Sequence, residues 1–194
     1  MPDKPAISRK GEKTRAEIVA CAKDLFYRRG YAGTSFSDIV EAAGVYRGNI
    51  YHYFKTKDEI LEAVLTQRIQ EFRALQEEWE RQCPDPSDRL MRFVEMIAQS
   101  ENELVRFGCP IGTLNTELGK ARHDLQCSAK AMFDLFRDWL ATQFVALGRA
   151  AEAQRLALHL LGRAQGISVI AHVYQDTALL QREVATLREW VAAL

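Results

Sequence analysis

Apolar side chains recur every three or four residues along most of this chain, the spacing of helices that bury one face. The first such stretch runs from Thr14 to about Gly30, and a glycine that follows two arginines is typical of a helix end. The five prolines stand between periodic stretches or at their starts, and no alternating stretch predicts a strand. The pattern therefore predicts an all-α protein.

The second helix is expected to begin at a cap on Ser37 and to end at Gly44, with an apolar inward side made of Ile39, Val40 and Ala43. Further helices are predicted over about 47–54, from a cap at Thr56 to about 82, from Asp85 or Ser87 through Leu104, and over about 123–147, 151–175 and 177–192.

This order of helices divides the chain into three parts. Residues 1–10 are interpreted as a disordered basic arm, 11–57 as a small helical module and 58–194 as a larger helical body. The last boundary lies within the fourth helix, so we expect the two parts to be joined by continuous helix.

Charge separates the same two domains. Residues 1–57 hold 11 Lys and Arg against 6 Asp and Glu, whereas 58–194 hold 15 against 20, so a net charge of zero hides a basic module and an acidic body. A basic module suits contact with phosphates. Ordinary scatter of charge over solvated helix faces is the alternative.

Cysteine usage and hydropathy narrow the class further. The four cysteines lie far apart, without a CxxC motif or a histidine at ligand spacing, so neither a metal site nor a disulfide framework nor a cofactor is predicted. No stretch approaches the roughly 18 consecutive apolar residues of a membrane span. We expect a cytoplasmic protein that has no membrane partner.

The stretch 30–61 carries the clearest functional signal, a short apolar helix, a glycine turn and a second short helix rich in polar and aromatic groups. Ile50 and Phe54 should face inward and leave a polar side toward the DNA major groove. The residues expected to bind DNA are Ser35, Ser37, Tyr46, Arg47, Gly48, Asn49, Tyr51, His52 and Lys57.

Each of these side chains has a chemical reason to contact DNA. Arg47 can form a forked pair with guanine or grip a phosphate, and Asn49 can pair with an adenine edge. Tyr51, His52 and Lys57 can donate to phosphates. In the alternative interpretation Tyr51 and Tyr53 are core aromatics and Arg47 is a solvated surface residue, which does not explain Arg, Asn, Tyr and His together on one side.

The segments GYAGTSFSDIVEAAGV and GNIYHYFKTKDEIL resemble the N-terminal domain of TetR-family transcriptional regulators over about residues 12–62. The resemblance implies a homodimer of nine or ten helices per subunit, in which three helices bind operator DNA and the others form an effector pocket and a dimer interface. It thus implies that residues 11–57 are a helix-turn-helix DNA-binding domain and that 58–194 are a ligand-binding and dimerisation domain. Tyr46 departs from the family pattern, which commonly has a serine or threonine cap there.

The last two helices are expected to form the dimer interface that the resemblance implies. The residues predicted for it are Leu156, Leu160, Ala164, Ile167, Ala171, Tyr174, Leu187 and Val191. The alternative is that this apolar pattern packs within one subunit.

The middle helices are expected to enclose a small effector. Because these helices hold an excess of Phe, Met and Trp, we expect the effector to be largely apolar. The candidate lining residues are Phe72, Met91, Val94, Ile97, Cys109, Leu114, Leu118, Met132, Phe133, Phe136 and Trp139. Cys109, expected at the start of a short helix, is either a reactive sensor or a small residue packed at a tight turn.

Function follows from these parts as a hypothesis. The leading interpretation is a repressor that an effector releases from a palindromic operator, and activation uses the same residues. A helical enzyme is disfavoured because no nucleotide loop, HExxH or GxSxG motif occurs and no catalytic residue stands out. An adaptor with a vestigial helix-turn-helix is a third interpretation, which salt-dependent DNA binding would exclude.

Overall fold

The computed structural model describes residues 9–194, and over this range it contains ten α-helices, one short 3-10 helix and no strand. The α-helices are α1 Arg9–Arg29, α2 Phe36–Ala42, α3 Arg47–Ile50, α4 Lys57–Gln82, α5 Pro86–Gln99, α6 Glu101–Phe107, α7 Gly112–Ala121, α8 His123–Ala146, α9 Ala153–Tyr174 and α10 Thr177–Ala192. The all-α prediction is confirmed. The first eight residues of the predicted arm lie outside the described range, and its last two begin α1.

The helices α1–α3 and the turn that follows them, residues 9–54, form the reading module. Gly30 ends α1 with φ of 76° and donates its N–H to the Phe26 carbonyl, and Gly44 ends α2 with φ of 61°. Both backbones are left-handed, a conformation in which a side chain is unfavourable. The predicted stops at these two glycines are therefore confirmed.

The cap of α2 differs from the prediction. Ser35, not Ser37, caps the helix: its hydroxyl accepts the Asp38 N–H, and the Asp38 carboxylate accepts the Ser35 N–H in return. This reciprocal pair is a capping box, which satisfies two backbone donors at once. Ser37 lies inside the first turn.

The third helix is shorter than the predicted 47–54. It ends at Ile50, and the N–H groups of His52 and Tyr53 then bond to carbonyls three residues back, at 3.1 and 2.9 Å. Bonds of this kind tighten the end of a helix into a turn. Tyr51 to Tyr53 therefore follow the helix as a turn instead of continuing it.

The body consists of α5–α10 packed on the long helix α4, which continues out of the reading module. The cap of α4 is the predicted Thr56, and α5 is capped by Asp85, one of the two residues that the sequence offered. Within the body α8 packs against α9, α4 and α7, and α10 packs against α5 and α9. A single apolar core extends from the reading module into the body along the inward side of α4.

The helix α9 is apolar on two sides. Together with the preceding turn, Ala150–Tyr174 is the one helix of the described part that is long and apolar enough to cross a membrane by length and composition alone. One side of it is buried in the subunit. Soluble proteins whose core helices also contact a partner meet the same criterion.

Candidate nucleic-acid interface and internal cavity

The outward side of α3 is polar and is anchored from beneath by two apolar side chains. Ile50 is fully buried and Phe54 is 2 % exposed, as the spacing predicted. Arg47, Asn49 and His52 are exposed, and none of them lies beneath another helix. A short helix that presents arginine, asparagine and histidine to solvent has the donors and acceptors that read base edges and phosphates.

Two tyrosines frame this polar side. Tyr46 is 79 % exposed at the start of α3, and no side chain caps the helix there. Its ring lies over Gly48, since a Cβ at that glycine would stand 3.0 Å from the Tyr46 Cε1 atom. Tyr51 is 44 % exposed and stacks on Phe36 with ring centroids 5.4 Å apart. Both tyrosine rings are therefore accessible from solvent beside the polar side of α3.

The other predicted DNA contacts are partly committed to the protein itself. Ser35 is engaged in the capping box, and the Ser37 hydroxyl accepts a long bond of 3.5 Å from Arg47. The Lys57 ammonium donates to the carbonyls of Tyr31 and Thr34, at 2.8 Å each, and lies 4.0 Å from the centre of the Tyr31 ring. Burial lowers the pKa of Lys57. Two of the three N–H groups of this ammonium are therefore used within the protein.

A polar junction between the reading module and the body was not predicted. The Glu117 carboxylate of α7 accepts the backbone N–H groups of Tyr31 at 2.9 Å and Ala32 at 2.6 Å. Arg122, between α7 and α8, forms a forked pair with Asp58 of α4, with a shortest distance of 2.6 Å. Acidic and basic residues of a helical surface give no periodic signal that would reveal such partners.

The junction perturbs the pKa of two groups. The hydrogen bond from Arg122 holds the pKa of the Asp58 carboxyl below its ordinary value. Burial, followed by its hydrogen bond to Asp58, raises the pKa of Tyr31 to about 12. The carboxylate of Asp58 is therefore ionised and the hydroxyl of Tyr31 protonated at neutral pH.

A cavity of about 320 Å³ lies between α4, α5, α6, α8 and α9, and Tyr27 of α1 and residues 109–111 complete its wall. Its lining residues are Tyr27, Phe72, Phe93, Met96, Ile97, Gln99, Ser100, Glu103, Leu104, Cys109, Pro110, Ile111, Phe133, Phe136, Leu161, Ala164, Gln165 and Ser168. Volume and lining are those of small-molecule sites, which are mostly apolar with a few polar groups.

Five of the eleven predicted lining residues reach the cavity, namely Phe72, Ile97, Cys109, Phe133 and Phe136. The prediction was wrong for the other six, which are packed in or against the core and do not line it: Met91, Val94, Leu114, Leu118, Met132 and Trp139. Apolar periodicity identifies the inward side of a helix but does not show where the core leaves a gap.

Aromatic rings form much of the cavity wall. Phe136 contacts Phe72 and Phe93, with ring centroids 4.6 and 5.6 Å apart. The Tyr27 hydroxyl, on α1, donates to the Glu103 and Gly108 carbonyls at 3.0 and 2.9 Å. Burial, with a smaller effect from Glu103, raises the pKa of Tyr27 to about 12. A flat, largely apolar molecule would match these walls.

Cys109 is buried at the cavity wall. It was expected to be at the start of a short helix, but it lies before the first residue of that helix, α7. The first residue of α7 is Gly112, whose N–H points to the Cys109 sulfur at 3.5 Å. Cys109 forms no disulfide with another cysteine of the described residues. Its burial agrees with the alternative of a small residue packed at a tight turn.

Seven of the eight predicted dimer-interface residues lie in the core of the subunit itself. These are Leu156, Leu160, Ala164, Ile167, Ala171, Leu187 and Val191, whereas Tyr174 is 70 % exposed. The alternative of packing within one subunit therefore holds for this set. Apart from Tyr174, the residues predicted on α9 belong to its buried side and not to its free one, and Leu187 and Val191 of α10 are buried within the subunit as well.

The other side of α9 is exposed and apolar. It carries Leu158, Gly162, Gly166, Val169, Ile170, Val173 and Tyr174. A Cβ at Gly162 or Gly166 would meet nothing within 4 Å. This set, the α9 outer face, has a groove beside it that α10 borders with Leu179 and Glu183. Contiguous apolar patches that are exposed to solvent are typical of surfaces that contact another protein.

Comparison with known proteins relates this arrangement to bacterial regulators. A family model described as "Bacterial regulatory proteins, tetR family" matches residues 18–64. A second, described as "Transcriptional regulator LmrA/YxaF-like, C-terminal domain", matches residues 86–186, which is more than half of the chain.

Individual relatives agree with these matches. An HTH-type transcriptional regulator in the lacX 3' region of Lactococcus lactis is 26 % identical over 90 % of this chain and 91 % of its own. The regulator TtgR of Pseudomonas putida is 38 % identical over 48 % of this chain and 44 % of its own. The crystal structure of a TetR transcriptional regulator from Chloroflexus aurantiacus superposes with a TM-score of 0.81 at 27 % identity, covering 95 % of this chain and 96 % of that one.

Proposed function

The chain belongs to the TetR family of bacterial transcriptional regulators, and from that premise we propose that it is a repressor released from a two-fold symmetric operator by a small, largely apolar effector. It is a DNA-binding regulator and not an enzyme. Its site of action would be the cytoplasm, where bacterial operators lie.

The observation that carries this proposal is the solvent-facing polar side of α3 on its two buried anchors. Arg47 and Asn49 stand exposed at the start of the helix, the part that enters the major groove in helix-turn-helix proteins. Arg47 would read guanine or hold a phosphate, and Asn49 would read adenine. His52 would contact phosphate from the turn that follows.

A symmetric operator follows from a dimer. Regulators of this family bind DNA and act as dimers. We propose that the α9 outer face packs on its counterpart in a second copy, and Gly162 and Gly166, which have open space above them, would let the two backbones approach closely. Two copies of α3 would then meet successive major grooves about 34–36 Å apart.

An effector would enter the cavity. A volume of about 320 Å³ with walls of phenylalanine suits a molecule of one or two fused rings, held by contact area more than by charge. Binding would favour an arrangement of the body in which the two reading modules no longer match the half-sites. Affinity for DNA would then fall by a factor in the usual range of about 5 to 150.

The experiment starts by selecting duplexes from a random pool with the purified chain and then measures affinity by fluorescence anisotropy at several salt concentrations. We expect a palindromic consensus and a log–log fall of affinity with salt. A reporter gene behind that duplex should be silenced when the chain is expressed. Enrichment of no consensus, or activation of the reporter, would contradict the proposal.

A further inference from the structure

The stretch 103–122, here called the connecting segment, touches both the cavity and the reading module. It contributes Glu103, Leu104 and residues 109–111 to the cavity wall. It also holds the reading module at two places, one on each side of this wall. The reading module is thus joined to the body by this segment as well as by the continuous helix α4.

The first attachment lies on the N-terminal side of the cavity wall. The Tyr27 hydroxyl donates to the carbonyls of Glu103 and Gly108, and the Tyr27 ring packs edge-on against Phe107 with centroids 5.4 Å apart. The Arg28 guanidinium lies 5.2 Å from the centre of the Phe107 ring. These contacts hold the last turns of α1 against the end of α6.

The second attachment lies on the C-terminal side, at the far end of α7. Glu117 accepts the N–H groups of Tyr31 and Ala32, and Gly30 leaves room for it because a Cβ there would stand 2.9 Å from the Glu117 Oε2 atom. Arg122 bridges Asp58 in the first turn of α4 and Asp124 in the first turn of α8. Glu117 holds the loop that precedes α2 directly, and Arg122 acts on this loop through Asp58, whose carboxylate accepts the Tyr31 hydroxyl.

Between the two attachments the segment has little freedom. Gly108 has φ of 76°, and the Thr113 side chain would stand 2.9 Å from a Cβ there. The helix α7 starts directly after the cavity wall and is ten residues long, about 15 Å at the usual rise. A displacement of residues 109–111 is therefore passed along a stiff helix to Glu117, not absorbed by a loop.

We propose that Glu117 and Arg122 are positioning residues through which occupancy of the cavity sets the orientation of the reading module. This inference rests on the proposed function. Because α4 and α7 hold the module at separate points, movement of α7 relative to α4 turns the module, and α3 with it. Movement of α4 alone would leave the Glu117 contacts strained.

The test needs no identified effector, since a bulky side chain can fill the cavity. Ala164→Phe places a ring in it from α9, and Phe133→Trp is a second, milder filling variant in case the first does not fold. Each is combined with Glu117→Gln plus Arg122→Met, which keep the size of the side chains and remove their charge. Glu77→Gln, at an exposed position of α4, is the matched control.

The measured quantity is the ratio of dissociation constants, filled over unfilled, for a duplex selected by the wild-type chain. We expect filling to weaken binding at least five-fold in the wild-type and Glu77→Gln backgrounds, and less than two-fold when Glu117 and Arg122 are replaced. A residue that only stabilises the fold would change affinity in both states and leave the ratio unchanged.

Two results would overturn the inference in distinguishable ways. A five-fold ratio that persists in the double variant would show that the coupling runs through α4 or the Tyr27 contacts and not through Glu117 and Arg122, and would leave the proposed function intact. A ratio near one in every background, with both filling variants folded by circular dichroism, would contradict effector control and this inference with it.

Discussion

The Glu117 contact gives a sharp expectation about two glycines that share a backbone conformation but not surroundings. Gly30 and Gly44 have φ of 76° and 61°. A Cβ at Gly30 would stand 2.9 Å from the Glu117 Oε2 atom, whereas one at Gly44 would meet nothing within 4 Å. Gly30→Ala therefore adds a steric effect to the conformational one, and Gly44→Ala does not.

The magnitudes follow from these two effects. A left-handed backbone costs an alanine about 1–2 kcal/mol at either position. At Gly30 the displaced carboxylate also weakens two hydrogen bonds to backbone N–H groups, which in a half-exposed setting adds about 1 kcal/mol. We expect Gly30→Ala to lower the free energy of unfolding by about 2–3 kcal/mol and Gly44→Ala by about 1–2 kcal/mol.

Urea unfolding at one fixed protein concentration measures both, because the stability of a dimer depends on concentration. In a Glu117→Ala background the difference between the two glycine variants should disappear, since no carboxylate is left to displace. A difference that persists without Glu117, or a larger loss at Gly44 than at Gly30, would refute this reasoning about the junction.

Three further outcomes are expected. Ser35→Ala should destabilise the chain by about 1 kcal/mol in thermal or urea unfolding and Ser37→Ala by almost nothing, since only the first caps α2; equal losses would contradict the assignment. Ile170→Asp should turn the dimer into a monomer in sedimentation analysis, whereas Val145→Asp, equally exposed on α8, should not; a dimer that survives the first change would exclude the α9 outer face. Asp58 has a lowered pKa, so its ion pair stabilises the fold above the ordinary pKa near 3.8 and this contribution is lost as pH falls through the folded value; Asp58→Asn should flatten the acid limb of a stability–pH curve, and an unchanged limb would contradict it.

Most helices and several of their ends could be predicted from the sequence because local signals determine them. The left-handed turns at Gly30 and Gly44, the cap at Thr56 and the long helix from His123 each follow from residues within one turn. The cap at Ser35 also had such a signal, an aspartate three residues later, which was overlooked. The inward pair Ile50 and Phe54 followed from periodicity alone.

Contacts between distant segments could not be predicted in this way. The helix α9 carries apolar residues on two of its sides, so periodicity did not show which side is buried within the subunit. Ala164 lines the cavity, although a dimer contact was predicted for it. Glu117 and Arg122 are ordinary surface residues until the fold brings them beside Ala32 and Asp58. Such pairs are 64 or more residues apart in sequence, and only the packing of whole helices brings them together.

The most direct test of DNA reading by α3 is the affinity of Asn49→Ala for the selected duplex and for variants of it changed at one base pair. If Asn49 reads a base edge, the alanine variant should bind the selected duplex about 5- to 150-fold more weakly and lose discrimination at one base pair per half-site, with its salt dependence unchanged. Uniform weakening on every duplex, or no weakening at all, would contradict the assignment of α3 as the helix that reads the operator.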